Sequence, residues 1–174
     1  MLVFVIGGAR SGKSRHALEL AESQTGTHTF IATAQAFDEE MEQRIDRHKE
    51  ERSDKWSALE EPLYLASRIE KFSKYDVILV DCLTLWVSNW LCTVTPKSGL
   101  EAWRSERDRF LQTISESSTS IYLVSNETGL GVVPANKLSR DFVDESGWLH
   151  QEVASRADHV INMTVGIPNR IKGN

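Results

Sequence analysis

The sequence has few cysteines, no excess of basic residues and no long apolar run, and each absence excludes a class of protein. Only Cys82 and Cys92 occur among 174 residues, too few for a disulfide framework, so a reducing cytoplasm is expected. The net charge of −5 argues against non-specific nucleic-acid binding, which needs a basic face. The N-terminal apolar run, residues 1–6, is too short for a signal peptide or a membrane span. The chain contains neither a low-complexity tract nor an internal repeat.

What the sequence does contain is typical of a soluble globular protein. Apolar residues make up 40% and charged residues 26% of the chain, and its length predicts a single domain over residues 1–174. Apolar segments rich in β-formers alternate with helical patterns, which predicts an α/β fold with a mainly parallel sheet flanked by helices. Ligands of such sheets collect beyond the carboxyl ends of the strands. Five strands are predicted, at residues 2–6, 28–32, 77–81, 121–125 and 159–163.

Helical patterns and loops fill the intervals between these strands. Residues 56–60 are predicted to be extended or loop, residues 93–99 a loop, and the chain after residue 163 a tail. Pro62 fits the first position of a helix, and Gly147 precedes the last one. The predicted helices are residues 13–23, 38–52, 62–72, 83–91, 100–115, 134–143 and 149–156.

Residues 7–14 read GGARSGKS and fit the P-loop pattern G-x-x-x-x-G-K-[ST]. The pattern stands between a predicted buried strand and a predicted helix, as a phosphate-binding loop requires. Its glycines allow the backbone N–H groups to turn towards a phosphate, and the helix that follows directs its positive end at the same anion. Lys13 is predicted to reach the β- and γ-phosphates, and the Ser14 hydroxyl is predicted to hold Mg²⁺.

Asp81 is the second sign of a nucleotide site. Four apolar residues, 77–80, run directly into it, which is typical of a Walker B strand with one carboxylate at its tip. Such a carboxylate binds Mg²⁺ directly or through water. The alternative is an aspartate that caps the following helix, and the P-loop upstream favours the magnesium interpretation.

The charged helix predicted at residues 38–52 carries one unusual stripe. Arg44, His48 and Arg52 are spaced four residues apart and therefore share a helix face. Guanidinium groups bind phosphate oxygens bidentately, and their charge keeps a neighbouring imidazole neutral and nucleophilic. From spacing alone, a phosphate-binding face and a solvated surface helix both remain open.

Further motifs extend along nearly the whole chain. Together with those above they are residues 7–14, 31–34, 38–41, 44–52, 56, 60, 80–86, 89, 125–134, 140–144 and 147–151. In these motifs the chain resembles the bifunctional adenosylcobinamide kinase / adenosylcobinamide-phosphate guanylyltransferase family of cobalamin biosynthesis. The resemblance implies a RecA-like P-loop NTPase fold and a homotrimer.

Two successive reactions are implied by this resemblance. The hydroxyl of adenosylcobinamide is phosphorylated from ATP or GTP, and GMP is then transferred from GTP to the new phosphate. The second reaction passes through a guanylylated histidine, and His48 is the matching residue here. Lys13 is the other residue expected to act in catalysis. One nucleotide site or two could serve these steps.

The resemblance also implies a set of nucleotide contacts. A carboxylate at Glu60 can accept hydrogen bonds from guanine N1–H and the 2-amino group, which favours guanine over adenine. The predicted nucleotide-binding residues are Gly7, Gly8, Ala9, Arg10, Ser11, Gly12, Lys13, Ser14, Ala32, Thr33, Ala34, Lys49, Glu50, Glu51, Arg52, Glu60 and Asp81.

One position departs from the family pattern, and the sequence leaves two alternatives to the family's function. His150 stands where the family usually has asparagine before Gln151. A kinase without guanylyltransferase activity would use His48 only as a phosphate ligand. A regulatory GTP-binding switch reads guanine through Asn-Lys-x-Asp, and the nearest stretch here, residues 136–139, lacks the aspartate.

Overall fold

The computed structural model describes residues 1–35 and 55–173 of the chain. Strands and helices alternate through most of this part. The strands are β1 Leu2–Gly7, β2 His28–Ala32, β3 Trp56–Glu60, β4 Val77–Asp81, β5 Ser120–Asn126, β6 His159–Thr164 and β7 Ile167–Lys172. The α-helices are α1 Lys13–Glu22, α2 Leu65–Lys71, α3 Leu83–Asn89, α4 Thr95–Ser98, α5 Leu100–Glu116 and α6 Lys137–Arg156.

One sheet contains all seven of these strands, in the order β3-β2-β4-β5-β1-β6-β7. Every neighbouring pair is parallel except β6 and β7, which are antiparallel. The mainly parallel α/β sheet predicted from the sequence is therefore confirmed. The count of five strands is wrong, because β3 and β7 pair on the two outer edges of the sheet.

Two hydrophobic cores lie on opposite faces of the sheet, because successive strand residues point to opposite sides. Phe4 and Ile6 of β1 share one core with residues of α2, α3, α5 and α6. Val3 and Val5 of β1 share the other core with Ala17 of α1. Helices thus cover both faces, and the central β1 is buried along its whole length.

The helix that begins near Pro62 starts later than predicted. Helix α2 begins at Leu65, because the Glu61 carboxylate accepts hydrogen bonds from the backbone N–H groups of Leu63 and Tyr64 and closes a turn before it. The loop predicted at residues 93–99 is also wrong. A π-helical turn, Trp90–Val94, continues α3 into the short α4.

Helix α6 is continuous where two helices were predicted. It runs through Gly147 although a glycine in a helix interior costs about 1 kcal/mol. Glu145, Ser146 and Leu149 are all buried around this position, so tertiary packing outweighs the local preference. No helix of the described residues is both long and apolar enough to span a bilayer.

The predicted C-terminal tail is instead the antiparallel strand β7. Val165 and Gly166 form the turn before it, with φ angles of 47° and 84°. Two positive φ angles are typical of the tight hairpin turns that usually carry Asn-Gly, and a valine there is uncommon. The usual sequence signal for a hairpin is therefore missing at this turn.

Candidate active site

The P-loop joins the end of β1 to the start of α1, as the pattern at residues 7–14 predicts. It turns back on itself, with the Ser11 backbone N–H donating to the Gly8 carbonyl at 3.2 Å. Gly12 has a φ of 90°, a left-handed conformation that side chains disfavour, and it immediately precedes α1. The loop therefore ends at the positive end of a ten-residue helix, which is the arrangement that binds anions.

Neighbouring segments hold this loop in place. A Cβ added at Gly7 would lie 2.6 Å from the carbonyl oxygen of Met163 on β6, so no larger residue fits there without movement. The Gly166 backbone N–H donates to the Ser11 carbonyl at 3.0 Å, and the Glu127 N–H donates to the Gly7 carbonyl at 3.0 Å. The P-loop is thus supported by β6, the β6–β7 turn and the segment after β5.

Lys13 and Asp81, predicted to act on the same phosphates, both lie at the carboxyl edge of the sheet. The Lys13 side chain is only 9% exposed, and its Nζ donates to the Gly8 carbonyl at 3.3 Å. Asp81 is the last residue of β4. Burial and, after it, the negative charge of Asp81 raise the pKa of the Cys82 thiol to about 12, and the positive charge of Lys13 opposes this rise. Both charges therefore lie near one thiol at the carboxyl edge of the sheet.

Thr33 connects the ends of β2 and β4. Its hydroxyl donates to the Cys82 carbonyl at 2.7 Å and accepts from the Cys82 N–H at 2.8 Å. Its backbone N–H donates to the Asp81 carbonyl at 3.1 Å. The Asn89 side-chain amide on α3 donates to the Thr33 carbonyl at 2.8 Å. The segment of Ala32, Thr33 and Ala34 is consequently fixed beside Asp81.

Glu60 lies at the same edge of the sheet, one strand further out. The register places Ala32 opposite both Glu60 on β3 and Asp81 on β4, so the three positions form a row across the carboxyl ends. Glu60 is exposed, whereas its neighbour Glu61 is buried and ion-paired with Arg68 at 2.6 Å. Glu60 thus keeps a carboxylate on the solvent side of this edge.

Several predicted site residues lie outside the part of the chain that the structure describes. They are His48, Lys49, Glu50, Glu51 and Arg52, together with the stripe that Arg44 begins. The structure places the P-loop with Lys13, Asp81 and the segment of residues 32–34 at the carboxyl ends of strands of one sheet. The place of His48, the proposed nucleophile, in the site stays a prediction.

Sequence reasoning missed a hydrogen-bonded chain beside the P-loop. The Ser125 hydroxyl lies 2.7 Å from His150 Nε2 and 2.9 Å from the Thr84 hydroxyl. The Asn126 backbone N–H donates to the Thr84 hydroxyl at 2.6 Å. Burial lowers the pKa of His150, although the nearby Glu127 carboxylate opposes this, so the imidazole is neutral near pH 7. Only the departure from the family pattern at residue 150 indicated this position in the sequence.

The donors available for a metal ion suit magnesium. Within residues 1–35 and 55–173 no group of three or more His, Cys, Asp and Glu side chains could by itself hold a metal ion. Ser14 and Asp81 offer one hydroxyl and one carboxylate, both of them hard oxygen donors. Mg²⁺ prefers one or two protein oxygens completed by substrate phosphates and water, so this donor set fits a Mg²⁺–nucleotide complex.

The sheet order, the P-loop and the acidic strand end define a RecA-like P-loop NTPase. In agreement with this, the solved structure of the RadB recombinase matches the fold with a TM-score of 0.53 at 16% identity. The match covers 92% of this chain and 73% of RadB. The RecA-like fold predicted from the resemblance is therefore confirmed.

The chain belongs to the family described as cobinamide kinase / cobinamide phosphate guanyltransferase, whose profile matches residues 3–171. It is 46% identical over 170 residues to the bifunctional adenosylcobalamin biosynthesis protein CobP of Pseudomonas aeruginosa, covering 97% of this chain and 96% of that protein. It is 35% identical over 182 residues to the bifunctional protein CobU of Salmonella typhimurium, covering 99% and 100%. The family and the enzyme class predicted from the motifs are confirmed.

Proposed function

We propose that the protein phosphorylates adenosylcobinamide with a nucleoside triphosphate and then transfers GMP from GTP to the adenosylcobinamide phosphate. The observation that carries this proposal is that the P-loop with Lys13 and the strand-end Asp81 lie at the same edge of one parallel sheet, in a chain of this family. Both reactions break a phosphoanhydride bond of a nucleotide, so one cradle for its phosphates can serve each of them. A single domain spanning residues 1–174 carries both steps.

The kinase step is an in-line transfer of the γ-phosphoryl group. The hydroxyl oxygen of the acceptor bonds to the γ-phosphorus, the bond from that phosphorus to the bridging oxygen breaks, and the hydroxyl proton is released. The P-loop N–H groups and Lys13 stabilise the charge on the phosphate oxygens. Ser14 and Asp81 would hold Mg²⁺, which when bound neutralises charge on the nucleotide phosphates.

The guanylyl step divides one displacement into two. A ring nitrogen of His48 bonds to the α-phosphorus of GTP, the bond to the α,β-bridging oxygen breaks, and pyrophosphate leaves. A phosphate oxygen of adenosylcobinamide phosphate then bonds to the same phosphorus and displaces His48. In this step Lys13 and the P-loop stabilise the departing pyrophosphate.

The base of the nucleotide is proposed to lie at the outer strands, away from the P-loop. Ala32, Thr33 and Ala34 form one wall, and the exposed Glu60 carboxylate accepts hydrogen bonds from guanine N1–H and the 2-amino group. The row that Ala32 forms with Glu60 and Asp81 supports this assignment, because base and phosphates would follow one edge of the sheet. Lys49, Glu50, Glu51 and Arg52 complete the proposed contacts.

The histidine intermediate is tested by intact-mass measurement after incubation with GTP and Mg²⁺. An acid-labile GMP adduct is expected on the wild type and is expected to be absent from His48→Ala. His16→Ala is the matched control, because His16 lies on α1 outside the proposed mechanism and should retain the adduct.

The kinase-only alternative predicts a different result from the same samples. It gives no adduct on the wild type while γ-phosphate from labelled ATP or GTP still reaches cobinamide. Assays with ATP and GTP separately and in competition also show which nucleotide is the phosphate donor in the kinase step. Competition between them for both reactions indicates a single nucleotide site.

A homotrimer in the cytoplasm is the proposed form of the enzyme. Large apolar side chains are exposed outside the candidate site, including Val132 at 96%, Val133 at 75% and Ile167 at 66%. Where exposed apolar side chains form one continuous patch, they are typical of contacts between protein chains. Light scattering should give three times the chain mass of 19.7 kDa, and Val133→Glu should lower it.

A further inference from the structure

A cleft opens beside the P-loop on the sheet face that α6 covers. Its volume is about 730 Å³, and it is bounded by Gly8–Ser11 of the P-loop, the segment after β5, helix α6 and the β6–β7 hairpin. Phe4 and Ile6 form part of its floor, and both point to the α6 side of β1. The cleft therefore begins at the phosphate cradle but lies on the opposite face of the sheet from α1.

The lining of the cleft is mostly apolar with a few polar groups. Phe4 and Val160 supply apolar surface, while His150, Arg10 and Glu127 are among the polar side chains, and the last two are charged. Clefts of roughly 300–1,000 Å³ with this mixture are typical sites for small molecules. A cleft of this volume accommodates an arm of a large substrate rather than a whole corrin macrocycle.

His150 is held in one orientation at this cleft by buried partners. Ser125 is fully buried and Thr84 is 6% exposed. The Asn126 N–H donates to Thr84, so the Thr84 hydroxyl is free to donate to Ser125, and Ser125 then donates to His150 Nε2. This direction gives every hydroxyl hydrogen an acceptor. It also leaves the proton of the neutral imidazole on Nδ1, the ring nitrogen that is not bonded to Ser125.

We propose that this cleft binds the hydroxyl-bearing arm of the corrinoid acceptor, with His150 Nδ1–H donating a hydrogen bond to an oxygen of that arm. The proposal rests on the proposed function and deepens it by naming where the second substrate lies. The continuity of the cleft with Gly8–Ser11 supports it, because an arm lying there ends at the phosphate cradle. The macrocycle remains outside the cleft, at its mouth.

Filling the cleft tests the proposal. Ala154 lines the cleft, whereas Ser155, the next residue of α6, is exposed and does not. Ala154→Trp should raise the KM for cobinamide by about tenfold or more, since it removes space that the arm needs. Ser155→Trp is the matched control and should leave that KM unchanged. In Ser155→Trp, pyrophosphate release from GTP in the absence of cobinamide should also match that of the wild type.

Replacing His150 tests the hydrogen bond without changing the volume greatly. His150→Leu removes the donor and should raise the KM for cobinamide by roughly five- to tenfold. His150→Asn keeps a side-chain donor and should recover most of this loss. If Ala154→Trp does not fold, this pair alone decides whether the cleft takes part in acceptor binding.

Each other outcome overturns the inference. An unchanged KM for cobinamide in both Ala154→Trp and His150→Leu shows that the arm lies elsewhere. Weaker GTP binding in Ala154→Trp assigns the cleft to the nucleotide, and a changed mass by light scattering assigns it to contacts between copies. Failure of the proposed function looks different, because the wild type itself would then show no cobinamide-dependent turnover.

Discussion

The side-chain amide of Asn89 donates to the backbone carbonyl of Thr33 at 2.8 Å, across 56 residues of sequence. The same amide nitrogen donates to the Pro62 carbonyl at 3.1 Å. One buried side chain thereby links α3 to the segments that follow β2 and β3, where the nucleotide base is proposed to lie.

Asn89→Leu is expected to destabilise the protein. It leaves two carbonyl oxygens without their donor, and an unsatisfied buried polar group costs about 1–3 kcal/mol in the free energy of unfolding. GTP affinity should fall as well, because Thr33 loses its support. Urea unfolding and equilibrium binding measure both effects. Ser88→Ala, one residue away, should change neither, and wild-type stability in Asn89→Leu would contradict the prediction.

Gly7 and Gly8 provide a matched pair for the P-loop. A Cβ at Gly7 would lie 2.6 Å from the Met163 carbonyl oxygen, whereas nothing lies within 4 Å of a Cβ at Gly8. We expect Gly7→Ala to lower the free energy of unfolding by about 1–3 kcal/mol through overpacking. Gly8→Ala should stay close to the wild type in thermal unfolding. Equal losses in the two variants would show that the close approach to β6 is not what restricts residue 7.

Lys13→Ala should abolish most of both activities. Loss of one preorganised group that stabilises transition-state charge typically costs on the order of 10²–10³-fold in kcat. Arg15→Ala is the control, because Arg15 is exposed and pairs only loosely with Glu19, at 3.8 Å. Rates of phosphoryl transfer and of pyrophosphate release should fall together in Lys13→Ala. A loss confined to one of them would require separate nucleotide sites.

The lowered pKa of His150 predicts a pH dependence of stability. Above the ordinary value of 6.5, His150 is neutral in both the folded and the unfolded state. As the pH falls, the unfolded chain takes up the proton first, so the free energy of unfolding decreases until the pH is below the folded pKa. Urea unfolding of the wild type and His150→Asn between about pH 8 and pH 5 should show a steeper decrease in the wild type. If the free energies of unfolding of the two proteins changed with pH in parallel, the prediction would be contradicted.

The two cysteines should differ sharply in reactivity. The pKa of the buried Cys82 thiol is raised to about 12, so almost no thiolate forms near neutral pH, whereas Cys92 is exposed. A thiol reagent should label one site per folded chain and two after denaturation. Cys92→Ser should abolish labelling of the folded protein. Rapid modification of folded Cys92→Ser would show that the edge of the sheet near Asp81 opens readily.

Local patterns were enough to predict the centre of this fold. The P-loop at residues 7–14 and the strand ending in Asp81 are each one continuous stretch of sequence. The P-loop is marked by its glycines, and the strand is marked by an apolar run that ends in a carboxylate. The edge strands lacked such signals. The residues of β7 are all exposed, and the turn before it carries Val165 rather than Asn, so neither burial nor turn chemistry marked a strand.

Contacts between distant segments explain the remaining differences. Gly147 normally favours a helix end, but the buried residues around it keep α6 continuous. The hydrogen bond between Ser125 and His150 spans 25 residues and depends on how α6 packs against β5. The residue pattern of neither segment predicts this hydrogen bond, so the polar side chains of the cleft could be identified only from the structure.

The hydrogen bond from Gly166 to Ser11 has a consequence for synthesis on the ribosome. The P-loop is translated long before its neighbours on β6 and the β6–β7 turn. Strand β1 also pairs with both β5 and β6. More than a hundred residues must be synthesised after β1 before either of these partner strands is present. A nascent chain therefore acquires its phosphate cradle in finished form only after β6 and the β6–β7 turn have been synthesised.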